Sequence, residues 1–276
     1  MPLLITDLDN TLYDWVTFFA LSFRSLVEAL VEDIGVDREK LLDEFKVIHQ
    51  MHGDSEYPFA ALELPSVRAK YGDKGTEELK NAIDHAFHAF NKTRKMHLKL
   101  YDFVETTLAT LRNADVIVVG HTEAMAVNGF FRLKHLGIAR YFRRLYALEG
   151  RDFKPGFDDR LNDDFIRLVP RVERKPNPRL VHDICESEGV EPADTWYVGD
   201  SLTRDIGMAK AAGVHAVWAR YGTQYDGELW NSLVRITHWT AEDVTREAEL
   251  RRACRGVEPD FTIDSFAEIL PLMRIG

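Results

Sequence analysis

The sequence predicts an α/β fold in which a mostly parallel sheet is covered by helices and a helical domain is inserted after the first strand. Three observations predict it. A short apolar run, LLIT at residues 3–6, would suit a buried strand. Apolar runs then alternate with segments of helical spacing from about residue 100 onward. Between the two lie roughly 85 residues of helical pattern without a convincing strand.

The inserted block divides into several predicted helices. Residues 15–34 carry apolar side chains at helical spacing, and Gly35 is typical of a helix C-terminus. Similar patterns cover about 38–50, 59–71 and 76–94. We therefore assign residues 15–99 to a helical domain, and residues 1–14 and 100–276 to the α/β core.

In the second part of the chain, strands and helices alternate. The predicted strands are 116–119, a short one near 144–148, 195–199, 215–219 and 261–264. The predicted helices are 123–136, 177–188, 203–212 and 265–273. Residues 150–173 are strongly charged and are expected to form an exposed excursion. Residues 226–257 are polar and Trp-containing, and no role is predicted for them.

The composition limits the partners and the compartment. With 35 Lys and Arg against 45 Asp and Glu, the net charge is −10, which argues against nucleic acid or an anionic membrane as the main partner. Cys185 and Cys254 belong to no metal-binding or redox pattern and are expected as reduced thiols. The N-terminus shows no targeting segment and no apolar run is long enough to span a membrane, so we expect a cytoplasmic protein. The sequence does not decide between a monomer and a homodimer.

Ionisable and hydroxyl side chains follow the apolar runs, where parallel strands would end. Asp7 and Asp9 come directly after LLIT, and alternation along an extended chain turns both to the same side. Thr122, Asp200 and Asp205 follow later apolar runs in the same way, and Lys175 stands just before Pro176 at a predicted helix start. Because ligands bind beyond the carboxyl ends of strands in an open parallel sheet, we expect these side chains to converge.

Several carboxylates at one sheet edge require a cation. Two carboxylates about 4 Å apart repel each other by about 4 kcal/mol at an effective dielectric constant of about 20. Oxygen ligands without His or Cys favour a hard ion, with Mg²⁺ as the first choice. Together with a lysine, such a site suits a phosphoryl group. One carboxylate can then attack it and form an acyl-phosphate, while the other moves protons to the leaving oxygen and from water.

The ordered motifs resemble those of a known superfamily. DLDNT, the hydroxyl after the second strand, KPNP and GDSLTRD resemble the four motifs of the haloacid dehalogenase (HAD) superfamily, in its phosphatase branch with a helical C1-type cap. The resemblance covers most of residues 1–222 and the tail PDFTIDSFAEIL. It implies a Rossmann-like three-layer parallel-sheet core, an inserted cap and a Mg²⁺-dependent hydrolase of phosphate monoesters. The second motif departs from the pattern, because Gly120 and His121 precede Thr122 and Glu123 follows it.

The resemblance also implies roles by position. Asp7 is expected as the nucleophile and Asp9 as the general acid and base. Mg²⁺ is expected on Asp7, on the backbone carbonyl of Asp9 and on Asp200, while Asp205 is expected to bind the ion through water or to orient Lys175. The residues expected to hold phosphoryl oxygens are Thr122, Lys175, Leu8 and Asn10, the last two through backbone N–H groups.

The motifs also bear on the other reactions of the superfamily. Its dehalogenases lack the second acid, so Asp9 favours phosphoryl transfer. Phosphonate hydrolysis would need a Schiff-base lysine, and none of Lys46, Lys70 and Lys92 is marked out for it. An intramolecular phosphomutase and a non-catalytic binding protein of the same fold stay open as alternatives.

The helical domain would select the substrate. Candidate substrate contacts are His49, His52, Tyr57, Arg68 and His121, each with a purely structural role as the alternative. A helical cap of this size favours a small phosphorylated metabolite over a phosphoprotein. A sugar phosphate, a phosphoglycolate-like acid and a nucleoside monophosphate all remain compatible with the sequence.

Overall fold

The structure is a computed structural model that describes residues 1–57, 59–150 and 164–275. Its internal contacts divide the chain into two compact units. The α/β unit contains Met1–Asp14, Lys99–Gln224 and Arg251–Gly276. The helical unit contains Trp15–Leu98 and Tyr225–Leu250, so it is built from two separate stretches of chain.

The elements are numbered along the chain. The strands are β1 (Leu3–Thr6), β2 (Ile117–Met125), β3 (Arg144–Leu148), β4 (Ile166–Val169), β5 (Thr195–Gly199), β6 (His215–Ala219) and β7 (Phe261–Ile263). The helices are α1 (Trp15–Ile34), α2 (Arg38–His52), α3 (Ala60–Glu63), α4 (Pro65–Tyr71), α5 (Thr76–Ala82), α6 (Asp84–His97), α7 (Val104–Asn113), α8 (Ala126–His135), α9 (Pro178–Glu188), α10 (Gly207–Ala212), α11 (Gly227–Arg235), α12 (Ala241–Ala253) and α13 (Ile269–Leu272). A π-helical turn, Leu202–Ile206, precedes α10.

The strands form one parallel sheet with the order β4-β3-β2-β1-β5-β6-β7. From β1 the chain builds outward on one side through β2, β3 and β4, and then returns to place β5 on the other side of β1. The strand order therefore reverses between β1 and β5, which is where ligands bind in open α/β sheets. The predicted fold class, a Rossmann-like parallel sheet with many helices, is confirmed.

The first strand is buried because helices cover the sheet. All four residues of β1 are buried, as expected for a near-continuous apolar run in the middle of a parallel sheet. Leu3 and Ile5 belong to a core cluster that includes Val181 of α9 and Ala209 of α10. Leu4 alternates with them and therefore points to the opposite face.

The second strand is longer than predicted. It continues through Thr122 to Met125, and α8 begins at Ala126 instead of 123. The reason is local: the Thr122 hydroxyl accepts a hydrogen bond from the N–H of Ala124 at 3.0 Å. The pairing of β2 with β3 shifts register between His121 and Met125, and β2 resumes its pairing with β3 at Met125.

The charged segment 150–173 contains a strand that was not predicted. Its residues 151–163 lie outside the described residues. The expectation of an exposed excursion is wrong for Ile166–Val169, which pairs with β3 as the edge strand β4. Val169 is the one buried residue of this strand. Because the other three residues of β4 are partly or fully exposed, the sequence of the strand resembles that of a solvated loop.

The segment that received no predicted role forms part of the helical unit. Residues 225–250 belong to the helical unit, whereas the predicted division assigned them to the α/β core. The physical reason is that α11 packs on α1 and buries Leu233, while Ile236 is 1% exposed. At its N-terminus, the Asp226 carboxylate caps α11 by accepting from the N–H groups of Glu228 and Leu229.

No helix in the described ranges combines the length and the apolar character that a membrane crossing requires.

Candidate active site

Three carboxylates and one amine meet at the carboxyl ends of β1 and β5. Lys175 Nζ donates to Asp7 Oδ1 at 2.6 Å and to Asp205 Oδ1 at 2.8 Å. One carboxylate oxygen from each of Asp7, Asp200 and Asp205 lies within 4.8 Å of the others. The convergence expected from the sequence is therefore present for these four side chains.

The charges in this group are strongly unbalanced. Burial, together with the negative charges of Asp205 and Asp9, raises the pKa of Asp7 well above its usual range, although Lys175 opposes the rise. Burial and the neighbouring Asp205 and Asp7 raise the pKa of Asp200 in the same way. Burial works against the charge of Lys175, but Asp205 and Asp7 outweigh it and keep the Lys175 pKa well above its usual range.

This donor set fits a divalent cation. Lys175 supplies one positive charge against the negative charges of three carboxylates. The pKa values of Asp7 and Asp200 remain raised beside it, so one lysine does not balance the charge of the group. The donors in this group are all oxygens, which suits Mg²⁺ better than a transition metal.

Close packing holds the two carboxylates that follow β5. Asp205 Oδ2 accepts from the N–H of Ser201 at 3.0 Å. A Cβ at Gly199 would lie 2.4 Å from the Asp205 carboxyl carbon, so only glycine fits beside it. A Cβ at Gly222 would lie 1.9 Å from the carbonyl oxygen of Asn10 and 2.9 Å from Cβ of Asp200. Glycine at both positions therefore allows the acidic loops to approach each other.

A buried polar network lies behind Lys175. The Tyr197 hydroxyl is 3.1 Å from His121 Nδ1 and 3.4 Å from Asp205 Oδ1. His121 is 2% exposed, and burial together with the charge of Lys175 lowers its pKa well below the usual range. His121 is thus held neutral inside the sheet and contacts Tyr197, so the substrate contact suggested for it is not supported.

The second acid of the first motif has a partner of its own. Arg132 Nη1 donates to Asp9 Oδ1 at 2.7 Å, and the side chains are 3% and 24% exposed, respectively. Tyr13 is fully buried, and burial followed by the charge of Asp9 raises its pKa well above the usual range while Arg132 opposes the rise. Asp9 is therefore held by α8, while its charge acts on Asp7 of the Lys175 group.

The residues expected to bind phosphoryl oxygens differ in what the structure shows. Leu8 is fully buried. The N–H of Asn10 donates to the Tyr13 carbonyl at 2.9 Å inside the loop, and the phosphoryl contact expected from it stays a prediction. Thr122 is 1% exposed, and a Cβ at Gly129 of α8 would lie 3.3 Å from its methyl group.

The candidate contacts of the helical unit are mostly engaged within that unit. His49 is 1% exposed, its Nδ1 is 2.8 Å from the Ile236 carbonyl, and the expected substrate contact is not supported for it. His52 stacks on Tyr57 with ring centroids 3.8 Å apart, and both side chains bond to Glu63. Arg68 donates to the carbonyl of Lys74 at 3.1 Å.

Sequence reasoning missed two of the residues that surround the acids. Arg132 was detectable in principle, because it is three residues after Gly129 on the buried side of α8 and interrupts an otherwise apolar face. Tyr197 gave a weaker signal, since an aromatic residue in a buried strand is ordinary.

The family model described as haloacid dehalogenase-like hydrolase matches residues 1–213, and a second, HAD-hydrolase-like model matches residues 172–269. The chain belongs to the haloacid dehalogenase-like hydrolases. This confirms the resemblance drawn from the motifs, and it confirms that the protein is a hydrolase.

The HAD hydrolase has curated relatives over most of its length. It is 26% identical over 271 residues to a glyceraldehyde 3-phosphate phosphatase of Methanopyrus kandleri, which covers 97% of this chain and 95% of the relative. It is 29% identical over 220 residues to a phosphoglycolate phosphatase of Neisseria gonorrhoeae, which covers 78% of each chain. Both relatives are phosphatases of small phosphorylated molecules.

Solved structures share the fold. A 2-haloacid dehalogenase from Pseudomonas syringae pv. tomato aligns with a TM-score of 0.59 and 19% identity over 99% of this chain and 98% of the other. A putative HAD hydrolase, YfnB from Bacillus subtilis, bound to magnesium, aligns with a TM-score of 0.54 and 16% identity over 99% of each chain. At these identities the likeness is one of fold.

Proposed function

We propose that this HAD hydrolase is a Mg²⁺-dependent phosphatase of a small phosphorylated metabolite, acting through an aspartyl-phosphate on Asp7. The observation that carries the proposal is the contact of Asp7 with Lys175 at 2.6 Å in a group that also holds Asp200 and Asp205. The two phosphatase relatives support it. Asp9 supports phosphate ester hydrolysis over dehalogenation, because an alkoxide leaving group needs a proton and a halide does not.

In the first step, a carboxylate oxygen of Asp7 attacks phosphorus and the bond from phosphorus to the ester oxygen breaks. Asp9 donates a proton to that oxygen, so the alcohol leaves neutral. Lys175 restrains the Asp7 carboxylate during the attack, and its charge offsets the negative charge of the phosphoryl group.

In the second step, water attacks phosphorus of the aspartyl-phosphate and Asp9 takes a proton from it. The bond between phosphorus and the Asp7 oxygen breaks, which regenerates the carboxylate and releases inorganic phosphate. The residues that would hold Mg²⁺ are Asp7, Asp200 and the backbone carbonyl of Asp9, with Asp205 close by. When bound, the ion supplies the positive charge that keeps these carboxylates ionised and offsets charge on the phosphoryl oxygens.

The substrate belongs to the same proposal. A sugar phosphate or a phosphoglycolate-like acid agrees with the names of the relatives, and a nucleoside monophosphate is the third class to test. The proposed compartment is the cytoplasm.

The experiment that tests the function is phosphate release across a panel of these three classes, with and without Mg²⁺. Turnover that requires Mg²⁺ and is lost in Asp7→Asn is the expected result. Asp115→Asn is the matched control, because Asp115 is exposed in the turn before β2 at the opposite end of the sheet. Acid-quenched enzyme should carry one phosphoryl group on the peptide that contains Asp7. Turnover by Asp7→Asn at the wild-type rate would contradict the proposal.

A further inference from the structure

The ion pair between Arg132 and Asp9 is not explained by stability alone. Arg132 is 3% exposed, and its Nη1 lies 2.7 Å from Asp9 Oδ1. Burying a guanidinium is costly, and replacing a buried ion pair by apolar residues of similar size is often neutral or stabilising. The stability of the fold is therefore a weak reason for directing a buried arginine at the proposed general acid.

The contact engages one oxygen of the carboxylate. Arg132 donates to Oδ1, and because a guanidinium stays protonated, Oδ1 is held as a hydrogen-bond acceptor. Oδ2 takes no part in this contact, so it is the oxygen to which we assign the proton exchanged with the substrate. The contact restrains the rotation of the carboxylate, and buried Tyr13 lies beside the same carboxylate.

The position of Arg132 in the fold links this contact to the phosphate side of the site. Arg132 lies on α8, which begins directly after the end of β2 that carries Thr122. Gly129 of the same helix packs against Thr122. One helix, α8, therefore contacts both Asp9, through Arg132, and Thr122, the predicted phosphoryl contact, through Gly129.

We infer that Arg132 is a positioning residue for proton transfer: it holds Asp9 so that Oδ2 faces the leaving oxygen of the substrate. The inference rests on the proposed function, because it assumes that Asp9 is the general acid. Arg132 itself acts through Asp9. Its loss should therefore matter most when the leaving group needs a proton.

Two aryl esters of nearly equal shape test this. Nitrophenolate leaves p-nitrophenyl phosphate without a proton, whereas the phenol of phenyl phosphate needs one. The constant kcat/KM covers the steps up to formation of the aspartyl-phosphate, so it reports the leaving-group step. Misplacing a catalytic group lowers the reaction rate by about 100-fold. Arg132→Met should therefore lower kcat/KM for phenyl phosphate by about 100-fold relative to kcat/KM for p-nitrophenyl phosphate.

Further variants separate positioning from folding. Asp9→Asn should shift the ratio of the two esters in the same direction, and the double variant with Arg132→Met should be no worse than Asp9→Asn alone. Arg132→Lys, which keeps one charged donor, should restore part of the ratio. Arg144→Met is the matched control: Arg144 also forms a buried ion pair, with Glu188, but it begins β3 at the amino-terminal end of the strand. It should reduce thermal stability and leave the ratio unchanged.

The outcomes are distinct. Equal losses on both esters in Arg132→Met, or a double variant weaker than Asp9→Asn, overturn the role of Arg132 and leave the proposed function intact. A wild-type enzyme that hydrolyses neither ester nor any compound of the metabolite panel overturns the proposed function, and the inference with it.

Discussion

Lys175 is hydrogen-bonded to Asp7 and Asp205 at once, at 2.6 Å and 2.8 Å, with its side chain 3% exposed. The amine therefore separates two buried carboxylates that would otherwise repel each other. It restrains the proposed nucleophile at the carboxyl ends of β1 and β5. Both activity and stability should depend on this contact.

Lys175→Met should abolish turnover and destabilise the protein at neutral pH by about 3–5 kcal/mol, because two buried carboxylates lose their counter-charge. The variant should recover stability relative to the wild type as the pH falls. The sign follows from the raised pKa of Asp7, which loss of Lys175 raises further: the folded state then binds more protons than the unfolded state. Urea unfolding between neutral and acidic pH measures this. Lys210→Met, which removes a half-exposed ion pair with Asp260, should change stability by less than about 1 kcal/mol at any pH.

Mg²⁺ should stabilise the protein against heat, because it neutralises carboxylates whose pKa values burial has raised. Protons compete for the same oxygens, so the affinity should increase as the pH rises through neutrality. Thermal unfolding and calorimetric titration with MgCl₂ measure both effects. Asp200→Asn should lose the stabilisation, and Asp115→Asn should keep it. A pH-independent affinity would be inconsistent with this account.

Gly222→Ala should impair the site while preserving the fold. The added methyl group would lie 1.9 Å from the carbonyl oxygen of Asn10 and would push apart the loops that carry Asp9 and Asp200. We expect weaker Mg²⁺ binding and at least about a 100-fold loss in turnover, since small displacements of catalytic groups have effects of this size. Gly227→Ala is the matched control, because a Cβ there meets nothing within 4 Å. Circular dichroism checks the fold of both variants.

His49 should make the stability of the protein sensitive to mild acid. Burial lowers its pKa from 6.5 to about 4, so between these pH values the unfolded state binds a proton that the folded state does not bind. Stability should therefore be full above pH 6.5 and decrease as the pH falls toward 4, by about 3 kcal/mol in total. His49→Asn, which retains a donor for the Ile236 carbonyl, should remove this part of the pH dependence. His88→Asn serves as the control, because the His88 side chain is 77% exposed. Unfolding measured across this pH range gives the comparison.

The sequence predicted the sheet core because its strands are short apolar runs bounded by turns. LLIT became β1, and TWYVG and HAVWA became β5 and β6, with the predicted bounds. The edge strand β4 was missed because an edge needs little apolar surface. The end of β2 was misplaced because the Thr122 hydroxyl bonds to the backbone two residues ahead, an effect that periodicity does not reveal.

The site was predictable where residues follow strand ends, since parallel strands bring their carboxyl ends together. Asp7, Asp200 and Asp205 met this condition, whereas Lys175 was found from its place before Pro176 at a predicted helix start. Arg132 did not, because it reaches Asp9 from the middle of a helix 123 residues away in sequence. For His49 the sequence left a substrate contact and a structural role open, because the burial of a histidine among helices is not visible in the sequence.

The two stretches of the helical unit have a consequence for biosynthesis. Residues 15–98 leave the ribosome early, directly after residues 1–14, and the whole of 99–224 must follow before 225–250 emerge. The surface of α1 that α11 covers in the finished protein therefore stays uncovered while most of the sheet is being synthesised. An exposed apolar helix face favours aggregation in a nascent chain. Chaperone capture of ribosome-bound chains that stop before residue 225 should exceed capture of chains that extend past residue 250.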